Sequence, residues 1–140
     1  MDHIPYLVPV SCKGILFEDG KVWLRQNERQ EWELPGGKLD LGEQPEVTVG
    51  RQIREELGVN VEVGRLIRNY LHTIRSQADE RGGVLVAIFH CKIIERIGDV
   101  EHVGESGPAE FRQFTIQQLD DLPMPVFYKQ AIRETFKIKN

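Results

Sequence analysis

The sequence predicts an α/β fold in which a mixed β-sheet carries one main helix on each side. Three observations carry that prediction. Strand-like and helical patterns alternate along all 140 residues, with no linker, repeat or low-complexity stretch between them. Two segments, 45–57 and 126–138, place apolar residues at helical spacing. Residues 84–94 are apolar on both alternating faces, as expected of a strand covered by a layer on each side. At this length the chain is expected to form one domain, 1–140, that buries roughly two-thirds of its unfolded surface.

Residues 7–17 and 21–25 are rich in β-formers and flank Asp19-Gly20, a strong hairpin signal. Residues 32–34 form a short extended piece that leads into a Pro35-Gly36-Gly37 turn. Pro45 suits the first turn of the next helix, where its missing N–H would be unpaired anyway. Gly58 ends that helix, because glycine adopts the left-handed cap without penalty. Between them Val49, Ile53 and Leu57 recur at i, i+4 and i+8 and form the stripe to be buried.

Residues 61–70 then read as a strand running toward Ile74, and the polar residues 76–83 as a loop. After the strand at 84–94, residues 97–108 hold four glycines or prolines and several acids, which predicts a mobile surface loop. Residues 110–114 are a short strand, and Thr115 can cap a brief helical turn over 116–119. The last helix, 126–138, sets Phe127, Ala131, Thr135 and Ile138 near one face and leaves Tyr128, Lys129 and Arg133 to solvent.

Composition excludes several classes of function. A hydrophobic content of 40% with 29% charged residues is ordinary for a globular protein. The net charge of −4 comes from interspersed signs with no basic block, which argues against a nucleic-acid face while leaving nucleotides as ligands. The longest apolar run, 84–89, is too short to cross a bilayer, so no membrane partner is expected. Residues 1–9 lack the basic start and apolar core of a secretion signal. Cys12 and Cys91 sit in strand-like segments without CxxC spacing and read as buried free thiols, so a cytoplasmic location is expected. His3, His72, His90 and His102 are scattered, which argues against a zinc site.

The chemistry is concentrated in residues 37–59, GKLDLGEQPEVTVGRQIREELGV. Helical geometry brings Gln52, Glu55 and Glu56 within about a third of a turn of one another, beside the buried stripe. Carboxylates crowded there repel, so one takes up a proton or a cation joins them. Oxygen ligands without clustered His or Cys point to Mg²⁺ or Mn²⁺. The plain alternative is a solvated acidic face, against which stand the glycine turn and Glu43 at fixed spacing.

Read as Gly-x5-Glu-x7-Arg-Gln-Ile-Arg-Glu-Glu-Leu-Gly-Val, this segment resembles the Nudix box, Gly-x5-Glu-x7-Arg-Glu-U-x-Glu-Glu-x-Gly-U, where U is bulky and apolar. Trp32-Glu33-Leu34-Pro35-Gly36-Gly37 resembles the W-x-L-P-G-G lead-in of many members. Residues 110–114 with 119–123 are similar to the family's E-x-R-W-F…L-(D/E)-x-L-P tail. The likeness to Nudix (MutT-like) hydrolases therefore spans about residues 7–135 and implies an α/β/α sandwich.

By that resemblance Glu55 and Glu56 match divalent-cation ligands, and Gly37 matches a position whose backbone carbonyl joins them. Glu43 matches the upstream Glu that supports the metal cluster or the helix, and Arg51 matches an Arg that holds the neighbouring carboxylate. The implied reaction is attack of water on a phosphorus of a nucleoside diphosphate linked to another group, with the metal polarising phosphoryl oxygens.

One fixed position departs from the pattern. Position 52 is Gln where the family has Glu, and an amide is isosteric but cannot take a proton near neutral pH. A positioned proton acceptor is typically worth roughly 10²–10⁴ in rate. Either a loop carboxylate among Glu101, Glu105 and Glu110 supplies the base, with Glu105 favoured, or the chain is a catalytically weakened nucleotide-binding sensor. Glu110 suits a supporting role beside the last strand.

Substrate signals are weaker. Trp32, Tyr70, His72, Arg75 and Phe127 offer stacking or phosphate contacts, and Lys38 follows the glycine turn, where a solvated lysine is the competing reading. Aromatic residues in strands and helices are otherwise core residues. About 16 residues beyond the box, at Ile74-Arg75-Ser76, the chain has neither the Pro of some ADP-ribose-hydrolysing relatives nor the Tyr of some dinucleoside-polyphosphate relatives. The segment 122–126 lacks the Asn with which mutagenic-nucleotide-cleaning relatives read a guanine. A homodimer is compatible with the resemblance, though no residue pattern decides it.

Overall fold

The computed structural model describes residues 3–73, 82–104 and 107–139. Two sheets share the core. The first has the order β5-β1-β7-β6, from β1 (Val10–Ile15), β5 (Gly36–Lys38), β6 (Val59–Thr73) and β7 (Gly83–Arg96). Strands β1 and β7 run parallel, and the other pairs are antiparallel, so the sheet is mixed as expected. The second is built on β3 (Lys21–Gln26), which pairs with β2 (Phe17–Glu18), β4 (Trp32–Glu33) and β10 (Glu110–Phe114).

The strand expected over 7–17 is thus two strands in two sheets. The chain changes sheet at fully buried Leu16, whose carbonyl accepts the Trp23 N–H at 3.2 Å. Asp19 and Gly20 both have positive φ, 54° and 78°, which suits the two-residue turn joining β2 to β3.

Helix α1 (Pro45–Leu57) starts with proline in its first turn and ends at Gly58. Gly58 has φ 66° and donates its N–H to the Arg54 carbonyl. Val49, Ile53 and Leu57 are fully buried, as their spacing predicts. Helix α2 (Val126–Lys139) lies across the opposite face. Its buried face is turned from the expected one: Phe127, Tyr128, Ala131, Ile132 and Thr135 are buried, whereas Ile138 is exposed. Among the described residues no helix is long and apolar enough to cross a membrane.

Strand β7 explains how one sheet serves two cores. Val86 and Ile88 pack with α2, while Ala87, Phe89 and Cys91 pack with α1. Period-two alternation sends each set to its own side. Cys12 and Cys91 are both buried free thiols.

Two expectations change. Of the expected Pro35-Gly36-Gly37 turn only Pro35 lies in a bend; Gly36 and Gly37 belong to strand β5, where they pair with Lys13 and Cys12 of β1. Gly36 has φ 133°, and a Cβ there would lie 2.1 Å from the Cys12 carbonyl oxygen, so only glycine permits this approach. The expected mobile loop over 97–108 is in part anchored. The Ile97 and Gly98 N–H groups both bond the Gly58 carbonyl, and the Glu101 N–H bonds the Glu56 carbonyl at 2.9 Å. It also contains the short pair β8 (Val103–Gly104) and β9 (Gly107–Pro108).

Candidate functional site

The site grows from the first two turns of α1. Arg51 grips Glu43 with two bonds, Nε to Oε2 at 3.0 Å and Nη2 to Oε1 at 2.9 Å. The Thr48 hydroxyl donates to the same Oε1 at 2.8 Å. Two-point pairing of this kind fixes orientation as well as charge. Hydrogen bonds from Arg51 and Thr48 hold the Glu43 carboxyl below its ordinary range, and Glu43 raises the Arg51 guanidinium in turn. Glu55 stands exposed one turn on, 3.5 Å from Arg51 Nη1.

Glu56, 3% exposed, points under the sheet edge, where its Oε1 accepts the Gly36 N–H at 3.1 Å. This contact joins the box helix directly to β5. Gln52 is partly buried, and its amide makes no hydrogen bond to any described residue.

Glu55, Glu56 and backbone oxygens of β5 are the groups here that could hold a cation, an all-oxygen set suited to a hard divalent ion. Among the described residues no three His, Cys, Asp or Glu side chains converge as a ready cage. Both Glu43 oxygens accept hydrogen bonds, Oε1 from Arg51 and Thr48 and Oε2 from Arg51. Such a set still fits an ion of the Mg²⁺ type, which is commonly held by one or two carboxylates with substrate phosphates completing its shell.

On the other side of β5 a groove of about 650 Å³ opens, a size typical of small-molecule sites. Gly36, Gly37 and Lys38 form its rim, and Phe127, Val84 and Pro125 give it apolar walls. Phe127 is stacked nearly parallel on Tyr70, with centroids 3.9 Å apart. Lys13, Glu33 and Tyr128 also line the groove. Glu33 accepts from Arg25 Nη1 at 2.6 Å and from Asn27 Nδ2 at 3.3 Å, and Lys13 Nζ lies 3.6 Å from its Oε1. Burial opposes ionisation of Glu33, but Lys13, Arg25 and Asn27 outweigh it and keep the carboxyl below its ordinary range.

The residues singled out from the sequence thus separate. Glu43, Arg51, Gln52, Glu55 and Glu56 run along α1 from just before its N-cap to its last turn, Arg51 contacting both Glu43 and Glu55, and Glu56 meets β5, which holds Gly37, at Gly36. Lys38 lies on the rim. Trp32 is only 5% exposed, packed edge-on against Phe114 with the Arg112 guanidinium 5.7 Å above its ring, and does not line the groove. Glu110 pairs with Arg112 on β10. Arg75 and Glu105 lie outside the described residues. Tyr128, expected in solvent, is buried, and Arg133 pairs with Asp120.

Sequence reasoning missed Lys13, Glu33, Tyr128 and Thr48. The available signal was polarity within apolar surroundings: Lys13 two positions before Ile15 in the same strand, and Thr48 between Val47 and Val49.

The fold and this helix define an α/β domain in which an acidic helix is joined at Gly36 to a strand that lines a groove. The chain belongs to the NUDIX domain family, whose family model matches residues 6–135. Proteins of this family generally use divalent metal ions. A MutT-like protein of Streptomyces ambofaciens is 40% identical over 90 residues, covering 63% of this chain and 54% of that protein. The chain thus matches only about half of that relative's length. An ADP-ribose pyrophosphatase of Methanocaldococcus jannaschii is 30% identical, covering 96% of this chain and 78% of its own. Among solved structures, a NUDIX hydrolase from Nitrosomonas europaea superposes with a TM-score of 0.75 at 18% identity, covering 96% of this chain and 92% of the other, which supports the fold alone.

Proposed function

We propose that this chain is a Mg²⁺- or Mn²⁺-dependent pyrophosphohydrolase that cleaves a nucleoside diphosphate linked to another group, by attack of water on phosphorus. One observation carries the reading: strand β5 is at once the rim of the groove and the partner of Glu56, so acidic helix and ligand groove meet at Gly36–Lys38. A ligand lying in the groove would leave its phosphates at that rim, beside Glu55 and Glu56.

Glu55 and Glu56 would hold the cation, with the Gly37 carbonyl as a further oxygen donor. When bound, the ion neutralises phosphoryl charge and lowers the pKa of water. Arg51, held by Glu43, which also accepts from the Thr48 hydroxyl, keeps Glu55 oriented. Gln52 can orient a water through its amide but cannot remove its proton. The base therefore comes from the loop after β7. Glu105 is the sequence-favoured candidate, and Glu101 a second, its backbone tied to the end of α1 beside Glu56. The relatives named ADP-ribose pyrophosphatase and 8-oxo-dGTP diphosphatase support nucleotide-type substrates as a class. Retention of the Arg51–Glu43 and Glu56–Gly36 contacts weighs for catalysis over a sensor role.

The test is hydrolysis of ADP-ribose, dinucleoside polyphosphates and nucleoside triphosphates with Mg²⁺ or Mn²⁺, by wild type, Gln52→Glu and Glu56→Gln. Metal-dependent turnover that falls by at least about 10²-fold in Glu56→Gln is expected. An inactive wild type beside an active Gln52→Glu would sink the loop-base reading.

A further inference from the structure

The groove floor carries a charge arrangement that the hydrolytic chemistry does not use. Lys13 lies on the α2 side of β1, two positions from Ile15, and is only 6% exposed. A buried ammonium needs compensation. Its one ion-pair partner among the described residues is Glu33 at 3.6 Å, too far for a hydrogen bond. Both Glu33 oxygens already accept from Arg25 and Asn27. Two cations thus share one carboxylate, and the Lys13 donors remain open toward the groove it lines. Tyr128 is 5% exposed, lines the same groove, and its hydroxyl bonds no described residue. Burial and the Glu33 charge raise its pKa, so the hydroxyl keeps its proton and donates.

We propose that Lys13, with the Tyr128 hydroxyl in the same groove, reads a keto oxygen on the base of the bound nucleotide, selecting 6-keto purines and 4-keto pyrimidines over their amino counterparts. The inference rests on the reading of the groove as the nucleotide site. Val84, Pro125 and Phe127 offer the apolar wall that a flat base needs, and the rim at Gly36–Lys38 takes the phosphates. Lysine can only donate. A keto oxygen accepts from it, whereas an exocyclic amino group meets it donor to donor and leaves both groups unsatisfied. Ser11 and His72, also on the lining, can donate or accept and do not discriminate.

Calorimetric titration of UMP against CMP and of IMP against AMP tests this without requiring turnover. Wild type should bind the keto member of each pair about tenfold more tightly, the usual scale for one base-reading contact. Lys13→Met keeps the alkyl stem and leaves Glu33 paired with Arg25. It should weaken the keto ligands alone and bring the ratio close to one. Lys13→Gln, whose amide serves either edge, should also level the pairs, and Tyr128→Phe should reduce the ratio by a smaller factor. Thermal unfolding checks that each variant is folded.

Equal binding of both members by wild type overturns the proposal. So does an equal loss for both members in Lys13→Met, as a phosphate contact would give, or no binding of any of the four. Metal-dependent turnover without keto preference sinks this inference and leaves the hydrolase reading standing. Keto-selective binding with no turnover of any phosphate sinks the hydrolase reading and leaves this one.

Discussion

Replacing Gly36 by alanine should damage stability and activity together, and the size of the effect follows from geometry. The new Cβ would stand 2.1 Å from the Cys12 carbonyl oxygen and 3.0 Å from the Lys13 Cα. Carbon and oxygen approach comfortably at about 3.3 Å, so β5 must withdraw from β1 by more than about 1 Å. That stretches the antiparallel pairing of Lys13 with Gly36 and the Gly36 N–H bond to Glu56. The φ of 133° adds strain of about 1–3 kcal/mol for a residue with a side chain. With weakened hydrogen bonds at about 1 kcal/mol each, the total is about 3–5 kcal/mol.

For a domain of this size that corresponds to a Tm lower by about 10–20 °C. Gly42→Ala is the control. Its φ is also positive, 82°, but nothing lies within 4 Å of the added Cβ. It should cost about 1–2 kcal/mol. Circular-dichroism melts of the two variants, with nucleotide hydrolysis measured well below both transitions, decide the matter. If Gly36→Ala melts with Gly42→Ala and keeps full activity, the close approach of β5 to β1 is not what positions Glu56.

Two further outcomes follow from the electrostatics. The Glu43 carboxyl is held low by Arg51 and Thr48, so its contribution is present above the ordinary carboxylate range and is lost as pH falls through the lowered value. Arg51→Met should return the Glu43 titration, followed by carboxyl NMR, toward the ordinary range, and an unchanged titration would contradict the pairing. Burial pushes the Cys12 thiol up to about 11, with Glu46 adding to it, and the Cys91 thiol to about 12. Both should therefore resist a thiol reagent at pH 8 in the folded protein and react fully in denaturant. Rapid labelling of either one in the native state would show that the core opens there.

What the sequence made legible was local. Pro45, Gly58 and the Val49–Ile53–Leu57 spacing define α1 because caps and periodicity act within one helix. Asp19-Gly20 marks its hairpin for the same reason. The two-sided apolar pattern of 84–94 was readable because both faces of β7 are covered. What escaped depends on partners distant in sequence. A lysine in a strand ordinarily signals a solvent face, and Lys13 is instead buried beside Glu33 of β4, a partner twenty residues away in the chain. The role of Gly36 lies in its contact with Cys12 across a strand pair, which spacing within the box does not encode. Tyr128 and Ile138 exchanged roles because the buried face of α2 is set by the core cluster that takes Phe127, Tyr128, Ala131 and Ile132, which periodicity within the helix does not fix.

The division of the interior into two cores has a consequence for how such a chain changes over time. Among the described residues the side chains beneath α1 and those beneath α2 form two separate clusters. Replacements around Lys13, Phe127 and Tyr128 can therefore accumulate without unsettling the packing under Glu55 and Glu56. Selection can retune which molecule is admitted while the acidic helix stays where it is, and one scaffold can give rise to relatives with different appetites.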